Sequence, residues 1–250
     1  MLKTEHLTLR FGGLVANNDV NVTIADGKIT ALIGPNGAGK TTFFNTISGV
    51  YKPTEGTVTF DGQRIDGWEP YKIHGLGISR TYQVINLFKK MTVVENVMVG
   101  MHDTMKMNFF QSIFKTPKER KEEKEVYEKA MEWLRFVGLE DRAHEMAGSL
   151  SYGQQRHLEI VRGLASNPKL ILLDEPAAGM NSTEKVELNG LIRKIKDMGV
   201  SVMLIEHDVK LVMDISDYVY VLNFGKLLAE GLPEEVQKNP AVIEAYLGGE

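Results

Sequence analysis

The chain has 250 residues, 25% of them charged, a net charge of −4 and no cysteine. That length supports one large domain with its own core. The missing thiols exclude disulfides and thiolate metal sites and suit a reducing compartment, and the acidic balance offers no basic field for nucleic acid.

Residues 1–33 read as short strands: LTLRF and VNVTI alternate, and KITALI is a continuous apolar run ending at Gly34. GTVTFDGQRI reads as a hairpin turning at Asp61-Gly62. The opening MLKTEHLTLRF lacks the apolar stretch of a signal peptide, and no run approaches the roughly 18 apolar residues that span a bilayer. A membrane role is therefore expected only through a partner.

Beyond residue 87 the pattern changes to helix. Thr116-Pro117-Lys118-Glu119 forms a capping box with proline at the first helical position. Tyr127, Ala130, Met131, Leu134 and Val137 then share one helical face, and the charge run KERKEEKE reads as the solvated face. Residues 88–156 are expected to form a helical subdomain inserted between the two parts of an α/β core, 1–87 and 157–250. The C-terminal part alternates helix and strand: HLEIVRGLAS, KLILLD, TEKVELNGLIRKIKDM, SVMLIE, VKLVMDIS and YVYVL. That alternation predicts a parallel sheet wound with helices, and Asn239-Pro240 opens a last short helix ending at Gly248.

Chemistry enters at ALIGPNGAGKTT. Gly34, Gly39, Lys40 and Thr41 fit G-x-x-x-x-G-K-[ST] after an apolar strand and before a helix, the context a phosphate-binding loop requires. Glycines let backbone N–H groups close around an anion, and the helix N-terminus adds partial positive charge. Lys40 can reach the β and γ oxygens of a nucleoside triphosphate, and Thr41 can offer its hydroxyl to Mg2+. LILLDEP places Asp174 and Glu175 where a buried strand stops. Asp174 takes the metal-side position, and Glu175 is aimed at a water attacking the γ-phosphate. His207 follows another apolar strand, SVMLIE. Gly34, Asp174 and His207 all follow strand C-terminal ends and so can converge, with His207 on the γ-phosphate. Gln83 sits where the core passes into the insert; a glutamine there can ligate Mg2+ or position water.

A second anion-seeking turn is LSYGQQR, residues 150–156. Ser151 and Gln154 make a capping box, Gly153 bares backbone, and a helix N-terminus follows. It can fold onto its own chain's nucleotide or bind one held by another copy across a two-fold interface. A GTPase would want Asn-Lys-x-Asp, which is absent, and a kinase has no use for LSYGQQR.

In their order and spacing GPNGAGKTT, Gln83, LSYGQQR, LILLDEP and His207 resemble an ABC-type ATPase over essentially the whole chain. LSYGQQRHLEI, DEPAAGMNSTE and the run from IEHDVKL to NPAVIEAYLG are similar to one branch, the ATP-binding subunits of branched-chain amino acid importers; so is the insert around residues 101–125. The resemblance implies an α/β fold, a P-loop core with a parallel sheet, an N-terminal antiparallel β subdomain and an inserted helical subdomain. It implies ATP and Mg2+ as cofactors and ATP hydrolysis as the activity. Phe11 takes the place of the aromatic that stacks on adenine. Gly34, Pro35, Asn36, Gly37, Ala38, Gly39, Lys40, Thr41 and Thr42 form the Walker A loop, and Gln83 is the Q-loop glutamine.

Ser151, Tyr152, Gly153 and Gln154 are the signature, acting on the ATP of the opposing subunit. Asp174 supports Mg2+ with Thr41 and Gln83, Glu175 is the general base and His207 the switch histidine. Two positions depart from the pattern: Asn181 stands where aspartate is usual, and Tyr152 where glycine is usual, so its side chain must point away from the phosphate. The implied partners are a second ATPase subunit, identical or a sister chain, head to tail; integral-membrane permease subunits; and indirectly a substrate-binding protein. The place of work is the cytoplasmic face of the cell membrane. MKMNFFQSIF and LFKKMTVVENV are the candidate permease-docking stretches. Lipopolysaccharide export and a soluble non-transport ABC ATPase are the alternatives.

Overall fold

The structure is a computed structural model that describes residues 1–102 and 117–247. Thr116 and the MKMNFFQSIF stretch, residues 105–114, lie outside the described residues. By contacts the chain divides into two compact units, residues 1–83 with 169–250 and residues 84–168.

The first unit runs β1 (Leu2–Phe11), β2 (Leu14–Ile24), β3 (Ile29–Ile33), α1 (Lys40–Ile47), β4 (Glu55–Phe60), β5 (Gln63–Arg64), α2 (Pro70–Gly75) and β6 (Ile78–Arg80). The chain then passes through the second unit, which holds α3 (Val93–Gly100), α4 (Pro117–Phe136) and α5 (Tyr152–Leu164). It returns with β7 (Leu170–Asp174), α6 (Ser182–Asp197), β8 (Ser201–Ile205), α7 (Val209–Ile215), β9 (Tyr218–Asn223), β10 (Lys226–Gly231), α8 (Pro233–Gln237) and α9 (Pro240–Leu247).

An antiparallel sheet has strand order β2-β1-β4-β5. Its long strands depart from the alternation expected of LTLRF: Leu7, Thr8 and Leu9 are all buried. The cause is a pair of irregularities. His6 (φ 52) and Asp19 (φ 56) are left-handed, and the β1–β2 register shifts on both sides of Leu7. A bulge of this kind turns an extra side chain inward, and the Thr8 hydroxyl is satisfied by accepting the Asp19 N–H at 3.0 Å.

The second sheet has order β10-β9-β3-β8-β7-β6. β9, β3, β8, β7 and β6 pair in parallel, as the alternating pattern predicts. All five residues of β3, β7 and β8 are buried, because helices cover both faces of such a sheet and leave no polar side. β10 is the exception: it runs antiparallel to β9 after a tight turn at Phe224 (φ 47) and Gly225 (φ 75). Two left-handed residues in succession match the right-handed twist of a hairpin.

In the second unit α3, α4 and α5 enclose Val93, Val97, Ala130, Leu134, Leu158 and Val161. Ala130 and Leu134 are buried and Tyr127, Met131 and Val137 partly so, the face that the periodicity predicts. Glu123, Lys124 and Glu125, from the end of the charge run, are exposed. In LFKKMTVVENV the residues Val93, Val94 and Val97 pack inside the unit, while Phe88 stays half exposed under the Arg162 guanidinium. A Thr92–Glu95 capping box opens α3.

Candidate functional site

The loop after β3 is shaped by its glycines. At Gly34 (φ +151) a Cβ would stand 2.1 Å from the Leu222 carbonyl oxygen, and at Gly39 (φ +99) 2.5 Å from that of Ala16. Only a residue without a side chain fits either place. The loop delivers Lys40 to the start of α1, buried, with Nζ donating to the carbonyls of Gly34 (2.7 Å) and Pro35 (2.9 Å). Burial pulls its ammonium below the usual lysine range, against the attraction of Glu175 and Asp174. Asn17 steadies the loop by donating to the Gly39 carbonyl at 3.1 Å.

An open cleft of about 530 Å3 runs along this loop. Asn36, Gly37, Ala38, Gly39, Lys40, Thr41 and Thr42 form its floor, and Glu175 and His207 stand at its wall. Phe11 lines the cleft half exposed, edge-on to Tyr51 with ring centroids 5.2 Å apart. Gly34 and Pro35 line a neighbouring cavity with Tyr246, whose phenol burial pushes up to about 12.

At the end of β7 the two adjacent carboxylates separate. Asp174 is buried and pairs with the Arg80 guanidinium, Nη2 to Oδ2, at 2.9 Å. Glu175 turns toward the cleft on a left-handed backbone (φ 48). Its Oε2 accepts from Gln83 Nε2 at 2.9 Å, and its Oε1 lies 2.7 Å from His207 Nε2. With the proton on that nitrogen, His207 donates to the carboxylate. Gln83, Glu175 and His207 thus meet within the first unit.

Ser151, Gly153 and Gln154 lie in the second unit, at the start of α5. Ser151 Oγ accepts the Gln154 N–H, and Gln154 Oε1 accepts the Ser151 N–H. Arg142 Nη1 holds the same Gln154 oxygen at 2.8 Å. Gly153 is buried and Tyr152 exposed. Asn181 caps α6: its Oδ1 accepts the Glu184 N–H at 3.0 Å. Asparagine and aspartate cap equally well, so this task does not need the missing charge.

Arg80 is the residue that sequence reasoning missed. Besides Asp174 it bonds Asn45 Oδ1 (2.9 Å) on α1 and Ser48 Oγ (2.7 Å) at the C-cap of that helix, and it lies over the rings of Phe44 and Tyr82. It so ties the helix behind the phosphate loop to the strand that ends in the carboxylates. Its only sequence signal is an arginine at the end of a short strand, three residues before Gln83.

Thr41, Gln83 and Asp174 can each offer an oxygen, the donor type that suits Mg2+; Thr41 lines the cleft, Asp174 is held by Arg80, and Gln83 meets Glu175 through its amide nitrogen. No group of three or more His, Asp or Glu that could hold a metal occurs among the described residues. No helix among the described residues is long and apolar enough to cross a membrane.

Residues 17–178 match a family described as ABC transporter, and residues 226–250 one described as branched-chain amino acid ATP-binding cassette transporter. The chain is 49% identical to the high-affinity branched-chain amino acid transport ATP-binding protein BraF of Pseudomonas aeruginosa, covering 99% of this chain and 98% of that protein. Among solved structures, the ADP conformation of an ATP-binding cassette of an ABC transporter is 35% identical. It superposes with a TM-score of 0.87 and covers 100% of this chain and 99% of that one. A dimeric cassette in a post-hydrolysis state bound to ADP and phosphate is 26% identical, with a TM-score of 0.77 and cover of 93% and 99%.

Proposed function

The chain belongs to the ATP-binding subunits of ABC transporters, a family of ATP hydrolases, and from that premise we propose that it powers an importer of branched-chain amino acids. The observation that carries the catalytic reading is that Gln83 and His207 both bond the Glu175 carboxylate, with Glu175 and His207 at the wall of the phosphate-loop cleft.

Each group has a task that its surroundings support. Lys40 exchanges the carbonyls of Gly34 and Pro35 for β and γ oxygens when a nucleotide enters. The loop amides of residues 36–42 and the α1 N-terminus hold the phosphates, and Phe11 offers its face to the purine. Glu175 is the general base that takes the proton of the attacking water, and the two donors on its oxygens orient it. His207 moves its hydrogen bond from Glu175 to the γ-phosphate. Thr41, Gln83 and Asp174 would hold Mg2+, which would neutralise the charge developing on the phosphate.

Ser151, Gly153 and Gln154 act on the nucleotide of a second ATPase subunit, a copy or a sister chain, in a head-to-tail dimer. The α5 N-terminus supplies the partial positive charge that a γ-phosphate seeks. ATP binds the closed dimer better than the open one, so hydrolysis reopens it. Permease subunits dock on the helical unit at the cytoplasmic face of the membrane, and a substrate-binding protein is reached through them.

The test is Glu175→Gln in excess ATP and Mg2+. ATP is expected to stay bound and uncut, and light scattering to report a dimer mass. A variant that remains monomeric removes the bridging role of Ser151. Purification of the native complex checks the import reading: membrane chains of the lipid-export type in place of an amino acid permease overturn it.

A further inference from the structure

A third carboxylate beside the cleft has no part in that chemistry. Glu206 follows β8 and is 3% exposed. Its Oε1 accepts the Ala177 N–H at 2.7 Å, and its Oε2 accepts the His207 N–H at 3.2 Å. Burial, with the charge of Glu175 adding to it, pushes its carboxyl above the usual range despite these donors. A buried carboxyl is an expensive way to fill space, so its value lies in what it holds.

What it holds is the turn that carries Glu175. A glutamate at φ 48 is strained, and such a conformation persists only where the surroundings over-determine it. Two bonds from one neighbouring segment do this. The Glu175 N–H donates to the Ile205 carbonyl at 3.0 Å, and two residues on the Ala177 N–H donates to Glu206. The same Glu206 carboxyl also grips the backbone of His207, whose ring meets the Glu175 carboxylate. One side chain, Glu206, therefore holds both the turn that follows Glu175, at Ala177, and the backbone of His207.

We propose that Glu206 is a positioning residue for hydrolysis, bracing the 175–177 turn against His207 so that the Glu175 carboxylate faces the cleft. Glu206 is not among the residues that line the cleft, so it acts through these two residues. The inference rests on the reading of Glu175 as the base.

The experiment compares wild type, Glu206→Gln and Glu206→Ala as full chains. ATP turnover, affinity for a fluorescent ATP analogue and deuterium uptake over residues 175–180 are measured. Glu206→Ala is expected to lower kcat at least tenfold, keep nucleotide affinity within twofold and speed deuterium uptake in that segment. Glu206→Gln keeps one oxygen for Ala177 but loses the acceptor for His207, so its kcat falls between the two. An unchanged kcat in Glu206→Ala, a parallel loss of kcat and affinity, or a glutamine variant no better than the alanine one overturns the proposal. Should Glu206→Ala not fold, the glutamine variant decides: reduced kcat with affinity kept supports it, and wild-type kcat overturns it. Glu175→Gln runs alongside. If that variant hydrolyses ATP normally, the base assignment fails. If it is inactive while Glu206→Ala is fully active, the bracing role alone fails.

Discussion

Arg80 and Asp174 form a buried ion pair across neighbouring strands, 2.9 Å apart, with side chains 7% and 3% exposed. Removing one partner of such a pair leaves a charge without compensation, which costs about 3–5 kcal/mol. Arg80→Ala is expected to lose stability in that range by urea denaturation. Adding Asp174→Asn to it should recover a measurable part. A loss under about 1 kcal/mol for the single variant shows that the pair does not anchor α1 to β7.

Lys40 is already bound to two carbonyls before any nucleotide arrives. Its replacement by alanine removes charge-assisted bonds worth about 1.5–3 kcal/mol each to the phosphates. Nucleotide affinity in a fluorescence titration should fall by about a hundredfold or more. Unchanged affinity takes the phosphate role away from the loop.

Two loop glycines separate strain from collision. Gly37 is left-handed (φ +78) with nothing within 4 Å of an added Cβ, whereas Gly39 (φ +99) would place one 2.5 Å from a backbone oxygen and 2.7 Å from Asn17. Gly37→Ala is expected to cost about 1 kcal/mol, the left-handed penalty alone. Gly39→Ala should cost clearly more and weaken nucleotide binding as well. Equal losses by denaturant for the two variants contradict the geometry.

Asp217 supplies a pH dependence. Partial burial would raise its carboxyl, but the Lys196 ammonium at 2.7 Å, the Ile29 N–H at 2.8 Å and the charge of Lys28 outweigh this and hold it below the usual range. A folded value below the unfolded one means that the stabilisation is present above the unfolded aspartate pKa, about 3.9. It is lost as pH falls through the folded value. Asp217→Asn should lose about 1–2 kcal/mol at neutral pH, and the gap to wild type should close as the solution is acidified below pH 4. A gap independent of pH assigns the effect to shape instead of charge.

The sequence by itself determined what local chemistry can specify. The G-x-x-x-x-G-K-T loop, the Ser151–Gln154 box, the apolar runs of β3, β7 and β8 and the amphipathic face of α4 all rest on groups within a few residues of each other, and their spacing is readable in one dimension. Tertiary structure alone decided the rest. The irregularities at His6 and Asp19 override the alternation of β1, and β10 reverses at a turn whose sole glycine follows a phenylalanine. Gln83 meets Glu175 across 92 residues, Arg80 meets Asp174 across 94, and Glu206 meets Ala177 across 29. Buried polar groups must find partners wherever the packed sheet brings them. Which carboxylate takes which partner follows from strand order and backbone handedness, and neither is written in the spacing of the residues themselves.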